Sequence, residues 1–146
     1  MKNHFLFLLL LIFFLLFGCI STFASKTTTV TFENSRTISA EIANTSESRA
    51  IGLMNRTKLE EQKGMLFIFH NSDYNSIWMK NTLLPLDIIF IDEDYTIKDI
   101  ISAKPCLSDP CPVYKPKEKA KYVLEVNQNW TKRNGIEIGI KIKIES

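Results

Sequence analysis

The chain has 146 residues, of which 45% are hydrophobic and 23% are charged, and its formal net charge is +2. This length is enough for one domain with a single hydrophobic core and too short for two. The near neutrality, together with the lack of a basic stripe interleaved with aromatic residues, argues against a nucleic-acid partner.

The N-terminal segment has the form of a targeting signal. A short positive start precedes Phe5 to Phe17, a run of thirteen apolar residues, which is shorter than the roughly 20 residues that span a bilayer. Cleavage has two alternatives. Leu16 to Cys19 resembles a lipobox, with cleavage after residue 18 and lipidation of Cys19, whereas Thr22 to Ala24 suits the ordinary signal peptidase. An uncleaved anchor is the third alternative.

The predicted domains follow from this segment. Residues 1–24 are predicted to be a signal peptide and residues 25–146 a single β-rich domain. We therefore expect an exported protein that is either free in the periplasm or held at the membrane through a lipid on Cys19.

In the first part of the domain, residues alternate as in β-strands, and the pattern then changes to a helical period. Thr27 to Glu33 and Ile38 to Ile42 predict a hairpin. Polar capping residues then favour a helix near Glu47 to Met54. A second helical turn is predicted over Lys58 to Lys63, because Thr57 and Glu60 have capping-box spacing and Gly64 could end the turn in the left-handed region.

Apolar runs of strand length follow. Met65 to Phe69, Ile77 to Lys80 and Leu86 to Ile91 are each bounded by turn-forming residues, and Tyr95 to Ser102 alternates behind the third run. These patterns predict three strands and a fourth, Tyr95 to Ser102, which forms a hairpin with the third.

Cys106 and Cys111 are predicted to form a disulfide, because four residues typical of a turn or loop separate them and the chain is expected to be exported. Zinc binding is the alternative. A structural zinc site needs four ligands, and His70 is the one imidazole left after signal removal. Met54, Met65 and Met79 lack the close spacing of a copper-binding tract. We therefore predict no metal and no cofactor.

The C-terminal part predicts a strand over Tyr122 to Val126, a helical turn over Gln128 to Arg133 and a period-two strand over Ile136 to Ile144. Strands outnumber helices. The expected fold is mainly β (α+β), a small single-domain β-barrel or compact sandwich with two or three short helices.

Two arginines and two acids suggest an anion site. Arg49 and Arg56 are seven residues apart, and with Asp87 and Glu125 they could clamp a carboxylate or phosphate. The alternative is internal salt bridging between these arginines and acids, because buried acids are usually paired.

The string around Trp78 suggests a ligand surface. Alternation places Trp78 and Lys80 on one face of a strand with Met79 on the other, and Asn81 follows. An indole beside a cation and an amide could form the floor for a small polar ligand such as a sugar. Alternatively, Trp78 packs a corner of the core and Asn81 caps a turn.

Asp87 and Glu125 also suggest hydrolytic chemistry. A carboxylate pair can cleave a glycosidic bond if its separation and its two pKa values suit the reaction. No G-x-S-x-G elbow accompanies His70 to offer a different catalytic arrangement.

Several strings in succession carry a family resemblance. RAIGLMNR, GMLFIFH, IWMKNT and PLDIIFID lie within residues 49 to 92, and KPC, CPVY and YVLEVN follow them. In this order they resemble the bacterial and archaeal family catalogued as domain of unknown function 192, over about Ile38 to Ile140. The chain departs from the pattern at Ile77, where the family often has Phe, and at Gln128 and Asn129, where it often has Ala-Gly.

The resemblance implies a small exported or envelope-associated β-rich domain without an established activity. We therefore consider three hypotheses. The first is an envelope domain that binds a small polar or anionic ligand, the second is a hydrolase that uses a carboxylate pair, and the third is a structural accessory protein of the envelope. The candidate ligand-binding residues are Arg49, Arg56, Trp78, Lys80, Asn81, Asp87 and Glu125.

Overall fold

The computed structural model describes residues 26–145, so the predicted signal peptide, its cleavage and Cys19 lie outside the described residues. The described part contains nine strands and two short helices, which confirms the prediction of a mainly β fold. The elements are β1 (Thr27–Phe32), β2 (Thr37–Ala43), α1 (Ser46–Ile51), β3 (Lys63–Asp73), β4 (Ile77–Trp78), β5 (Leu86–Ile91), β6 (Ile97–Ala103), β7 (Val113–Tyr114), β8 (Ala120–Asn127), α2 (Trp130–Arg133) and β9 (Ile142–Ile144).

Seven strands form one curled sheet in the order β6, β5, β8, β3, β2, β1, β9, and β4 and β7 form a separate ribbon. Neighbours in the large sheet are antiparallel except for β2 and β3, which are parallel. An isolated bridge between Thr96 and Lys141 connects the chain just before β6 to the chain just before β9. The two edges of the sheet therefore approach each other, and the sheet curls into a half-barrel.

Each face of the sheet has its own apolar core. On β5, Ile89 and Ile91 belong to one core, whereas Ile88 and Phe90 belong to the other, because successive side chains point to opposite faces. Both faces are covered, which explains why β5 reads as an uninterrupted apolar run. The first core also holds Trp130.

The parallel pairing of β2 and β3 requires a crossover connection, which is formed by residues 44–62 and contains α1. Thr45 caps α1, because its hydroxyl accepts a hydrogen bond from the Ser48 amide while the Ser48 hydroxyl accepts one from the Thr45 amide. The helix ends at Gly52, which has a φ of +50°. The predicted helix is thus present but ends three residues earlier than expected.

The predicted second helical turn over Lys58 to Lys63 is wrong. These residues contain no helix, and Lys63 begins β3. Gly64 is needed for close approach rather than for a left-handed turn, since a Cβ atom there would lie 2.6 Å from the backbone oxygen of Glu125. Glycine at this position allows β3 and β8 to pair closely.

The predicted strand over Ile136 to Ile144 is also wrong for most of its length. Only β9 is extended, because a turn at Gly139, with a φ of +93°, interrupts the segment and leaves Ile138 exposed. The departure from Ala-Gly has a small effect. Asn129 adopts a φ of +62°, a left-handed conformation that Asn tolerates better than most residues.

Cys106 and Cys111 lie within bonding distance in the loop between β6 and β7, with their Cα atoms 5.8 Å apart. This spacing suits a disulfide. The pair is therefore able to close that loop, and its oxidation in the cell stays a prediction.

Candidate functional site

A cleft of about 450 Å³ lies between the crossover, the sheet and the ribbon. Its lining comes from α1 and the turn that follows, from β3 and β8 of the sheet, and from β4 and β7. The walls are mainly apolar and aromatic, with contributions from Leu53, Phe67, Phe69, Ile77, Trp78 and Val113. A concave apolar site with a few polar groups is the usual form of a small-molecule pocket.

Glu125 is the buried acid of this cleft. Its side chain is on the same face of the sheet as Ile88 of β5 and Met65 of β3, which stand opposite it on the two neighbouring strands. The residue is only 4% exposed. It forms no hydrogen bond or ion pair with any residue from 26 to 145. Burial raises the pKa of the Glu125 carboxyl to about 8, so the group is mostly protonated at neutral pH.

Arg49 supplies the positive charge of the cleft from α1. One of its terminal nitrogens, Nη1, donates to the backbone oxygens of Asn44 at 2.9 Å and Ile68 at 3.0 Å. Its guanidinium also lies 5.2 Å from the centre of the Phe69 ring, within range of a cation–π contact. Its other nitrogens have no hydrogen bond to the described part of the chain. The side chain is therefore held in place with donors to spare.

Trp78 stands at the mouth of the cleft and is 46% exposed. Lys80 shares its face as predicted, because the Lys80 Nζ atom lies 5.6 Å from the centre of the indole. Met79 points the other way and is fully buried. Ile51 and Val113, both well exposed, continue the apolar rim beside Trp78.

Lys80 and Asn81 themselves do not line the cleft. The Lys80 Nζ atom pairs with Asp109 Oδ2 at 2.8 Å and so binds the loop that carries the two cysteines. Asn81 adopts a left-handed φ of +54°, and its backbone oxygen accepts a hydrogen bond from the Asn55 amide. Of the predicted site centre, the cleft lining therefore includes Trp78 and not Lys80.

Arg56 lies outside the cleft. Both of its terminal nitrogens donate to the carboxylate of Glu41, and the Nη2 to Oε2 distance is 2.8 Å. Internal salt bridging, the alternative to a ligand clamp, is therefore present, although its acid is Glu41 rather than Asp87 or Glu125. This ion pair raises the pKa of the Arg56 guanidinium.

Asp87 is 1% exposed and lies on the other face of the sheet. It accepts hydrogen bonds from the Ser102 hydroxyl at 2.8 Å, the Thr131 amide at 3.1 Å and the Thr131 hydroxyl at 2.6 Å. The two bonds from Thr131 fasten the first turn of α2 to β5, and the bond from Ser102 joins β6 to β5. Asp87 therefore has a structural role.

The hypothesis of a catalytic carboxylate pair is wrong for this chain. Asp87 stands opposite Val126, whereas Glu125 stands opposite Ile88. Because directly opposed residues share a face and the face alternates along a strand, Asp87 and Glu125 point away from each other across the sheet. They cannot act together on one glycosidic bond.

Most of the cleft walls come from residues that were not among the predicted site residues. Leu53, Phe67 and Phe69 belong to the cleft, and each falls within a string that carried the family resemblance. RAIGLMNR supplies Arg49 and Leu53, GMLFIFH supplies the two phenylalanines, IWMKNT supplies Trp78, and YVLEVN supplies Glu125. This convergence of four strings is the signal that could have located the site.

Residues 26–145 lack both the side-chain cluster of a metal site and the helix of a membrane span. No cluster of three or more His, Cys, Asp or Glu side chains there could hold a metal ion. That part of the chain also contains no helix long and apolar enough to cross a membrane.

Comparison with known proteins places the chain in a family. The model of domain of unknown function 192, described as "Uncharacterized ACR", matches residues 28–144. A protein from Sinorhizobium meliloti 1021, described as a candidate transcription regulator, is 34% identical with a TM-score of 0.76, and the match covers 83% of this chain and 95% of that one.

A protein of unknown function from Novosphingobium aromaticivorans DSM 12444 is 32% identical with a TM-score of 0.72, and the match covers 86% of this chain and 89% of that one. No curated protein matches. The chain belongs to the domain of unknown function 192 family.

Proposed function

We propose that this protein is a small-molecule binding domain and that its ligand occupies the cleft above Glu125. The observation that carries the proposal is a buried carboxyl without a hydrogen-bond partner among residues 26–145, placed in an apolar cleft of about 450 Å³. Within residues 26–145 no fully enclosed side-chain oxygen or nitrogen lacks a hydrogen-bond partner, so the unpaired oxygens of Glu125 are accessible from the cleft. A ligand in the cleft supplies the missing partner.

The lining indicates the general form of the ligand. Phe67, Phe69 and Leu53 favour an apolar or aromatic body. Polar contacts are restricted to a few groups, chiefly Glu125 and the spare donors of Arg49. A negative head group is poorly suited to Glu125, so the anionic ligand considered from the sequence is the less favoured version of this function.

Export is part of the same proposal. The apolar run from Phe5 to Phe17 and the disulfide-capable pair Cys106 and Cys111 both suit a protein that works in the cell envelope. Cell fractionation of the native chain and of Cys19→Ala tests this. Loss of membrane retention in the variant supports the lipid anchor, and release of a chain that begins near Ser25 supports ordinary cleavage.

Tryptophan fluorescence offers a direct test of binding, because the described residues place one indole in the cleft and one far from it. Trp78 lines the cleft, whereas Trp130 is 2% exposed and packs against Phe32 in the other core. A library of small aromatic and alkyl compounds should contain members that change Trp78 emission in a saturable way. Trp78→Phe should remove the response while Trp130 emission persists.

Two results would count against the proposal. One is a library without any saturable response. The other is a response that survives in Trp78→Phe, which would assign the signal to a different place on the protein.

A further inference from the structure

We propose that the cleft selects a ligand whose head group is an ammonium carried on an apolar body, with the carboxylate of Glu125 as its counterion. This inference rests on the proposed binding function and specifies the ligand class for the same site. It is carried by the geometry around Glu125, where an acid is buried among apolar neighbours and opens only toward the cleft.

The surroundings of Glu125 supply no competing partner. On the two strands that flank it, the opposed residues are Met65 and Ile88, both apolar. Arg49 is the other charged residue of the cleft lining, and within residues 26–145 no ion pair or hydrogen bond joins it to Glu125. Arg49 is instead held by two backbone oxygens and the Phe69 ring. The carboxyl is therefore available to a ligand.

An ammonium group satisfies this carboxyl better than a neutral donor does. Charge-assisted hydrogen bonds are shorter and roughly twice as strong as neutral ones, and an ion pair of this kind is strengthened where water is excluded. A neutral alcohol or amide leaves the acid protonated and gains only an ordinary hydrogen bond. A carboxylate ligand would meet either a like charge or an acid that must stay protonated.

Binding of an ammonium must release a proton. In the free protein, burial raises the pKa of Glu125 to about 8, so at pH 7 the carboxyl holds its proton. When the ammonium binds, the carboxyl O–H proton passes to solvent and the N–H groups of the ligand donate to the carboxylate. Because an alkyl ammonium stays charged up to about pH 10, amine affinity should rise with pH up to about 8 and then level off.

The test uses three probes of similar shape and different charge, namely 2-phenylethylamine, 2-phenylethanol and 3-phenylpropionate. Affinities are measured by Trp78 fluorescence and by calorimetry, with the mature chain and with two variants. Glu125→Gln removes the ability of this side chain to ionise, with little change of shape. Glu137→Gln makes the same chemical change at an exposed position outside the cleft and serves as the matched control.

At pH 9, where the free carboxyl has already lost its proton, we expect the amine to bind the native protein at least about tenfold more tightly than the alcohol, since charge-assisted hydrogen bonds are roughly twice as strong as neutral ones. At pH 7 this advantage should be about tenfold smaller, because the proton must first be released. Glu125→Gln should lose about that factor for the amine and leave the alcohol unchanged, whereas Glu137→Gln should match the native protein. Calorimetry at pH 7 in phosphate and in Tris buffer should give different apparent enthalpies, which reports the released proton.

The outcomes separate the two proposals. Equal binding of amine and alcohol at pH 9, or an amine affinity that Glu125→Gln leaves unchanged, overturns the ammonium assignment while binding in the cleft stands. Tighter binding of 3-phenylpropionate than of the amine also overturns it, and would identify Arg49 as the main polar contact of the ligand. If neither these probes nor the wider library elicits a saturable Trp78 response, the binding function itself fails.

Discussion

Asp87 and Glu125 are buried acids on neighbouring strands, yet they have opposite surroundings. Asp87 accepts hydrogen bonds from three donors and fastens α2 to the sheet. Glu125 is the chain neighbour of Val126, the residue opposite Asp87, and therefore lies on the other face of the sheet. It has no partner among residues 26–145. Two acids with similar burial can therefore have different roles. The satisfied acid maintains the fold, and the unsatisfied acid opposes it and marks the candidate site.

Removal of Asp87 should produce the largest effect. Asp87→Ala leaves the buried amide and hydroxyl of Thr131 without their acceptor, and buried donors left unsatisfied cost about 1 to 3 kcal/mol each before relaxation. The Ser102 hydroxyl also loses its acceptor, but this residue is exposed and can turn to water. We expect the free energy of unfolding to fall by about 3 kcal/mol in urea melts. Ligand probes should still bind the folded fraction, because the residue is on the other face. A change below about 1 kcal/mol would contradict the structural role.

Glu125→Gln should instead stabilise the protein, but only at pH values above about 4.5, the ordinary pKa of a glutamate side chain. The pKa of Glu125 is raised from 4.5 to about 8 by burial. Below pH 4.5 both the folded and the unfolded chain are protonated there, so the substitution should have little effect. Between 4.5 and 8 the unfolded chain has released the proton and the folded chain retains it, so native stability falls as pH rises. Above pH 8 the folded and the unfolded chain have both released the proton, so the stability difference between the variant and the native protein stays constant.

At pH 7 the variant should be more stable than the native protein by about 3 kcal/mol, since each pH unit between 4.5 and 7 contributes about 1.4 kcal/mol. Urea melts at pH 4 and pH 7 measure this directly, with Glu137→Gln as the control that should not differ. A variant less stable than the native protein at pH 7 would mean that the acid is satisfied after all.

Reduction of the Cys106–Cys111 disulfide should have a smaller effect on the free energy of unfolding. The loop that this disulfide closes lies on the Glu125 side of the sheet. Closing a loop this short stabilises a fold by about 2 kcal/mol in the chain-entropy treatment. The loop leads into Val113, which lines the cleft. Reductant should therefore lower the unfolding free energy by about that amount and weaken probe binding. A Cys106→Ser, Cys111→Ser variant should be insensitive to reductant, and free thiols in the untreated exported protein would contradict the disulfide.

Lys80→Ala should have the smallest effect. The Lys80 side chain is 35% exposed and its partner Asp109 is 63% exposed, and ion pairs of this kind contribute about 0.5 kcal/mol. Unfolding of Lys80→Ala, Asp109→Ala and the double variant measures the coupling between the two charges. A loss of 3 kcal/mol or more in Lys80→Ala would indicate a buried charge and not the surface pair described above.

The sequence predicted the class of fold and many of its elements because their signals are local. β5 was predicted with the bounds that it has, since Leu86 to Ile91 is an apolar run between turn formers. The failures came from long-range effects. Lys58 to Lys63 has local helix signals, but parallel pairing of β3 with β2 determines where the strand begins.

The candidate site was only partly predictable for the same reason. Arg49, Trp78 and Glu125 were identified and do meet in one cleft. Asp87 was grouped with Glu125 because both are acids in apolar runs, and the register that separates them is a property of the paired strands. A shift of one residue in that register reverses the face of every side chain. Sequence alone does not contain this information in any local pattern.

The parallel pairing of β2 and β3 has a consequence for how this fold can diversify. Two parallel neighbours must be joined by a connection of a dozen residues or more, so every copy of this sheet carries a segment that can be remodelled independently of it. Lengthening such a connection costs only about 0.6 kcal/mol for each doubling. Exchange of residues 44–62 between relatives is therefore a direct way to change one wall of the cleft while the sheet and its buried acid remain unchanged.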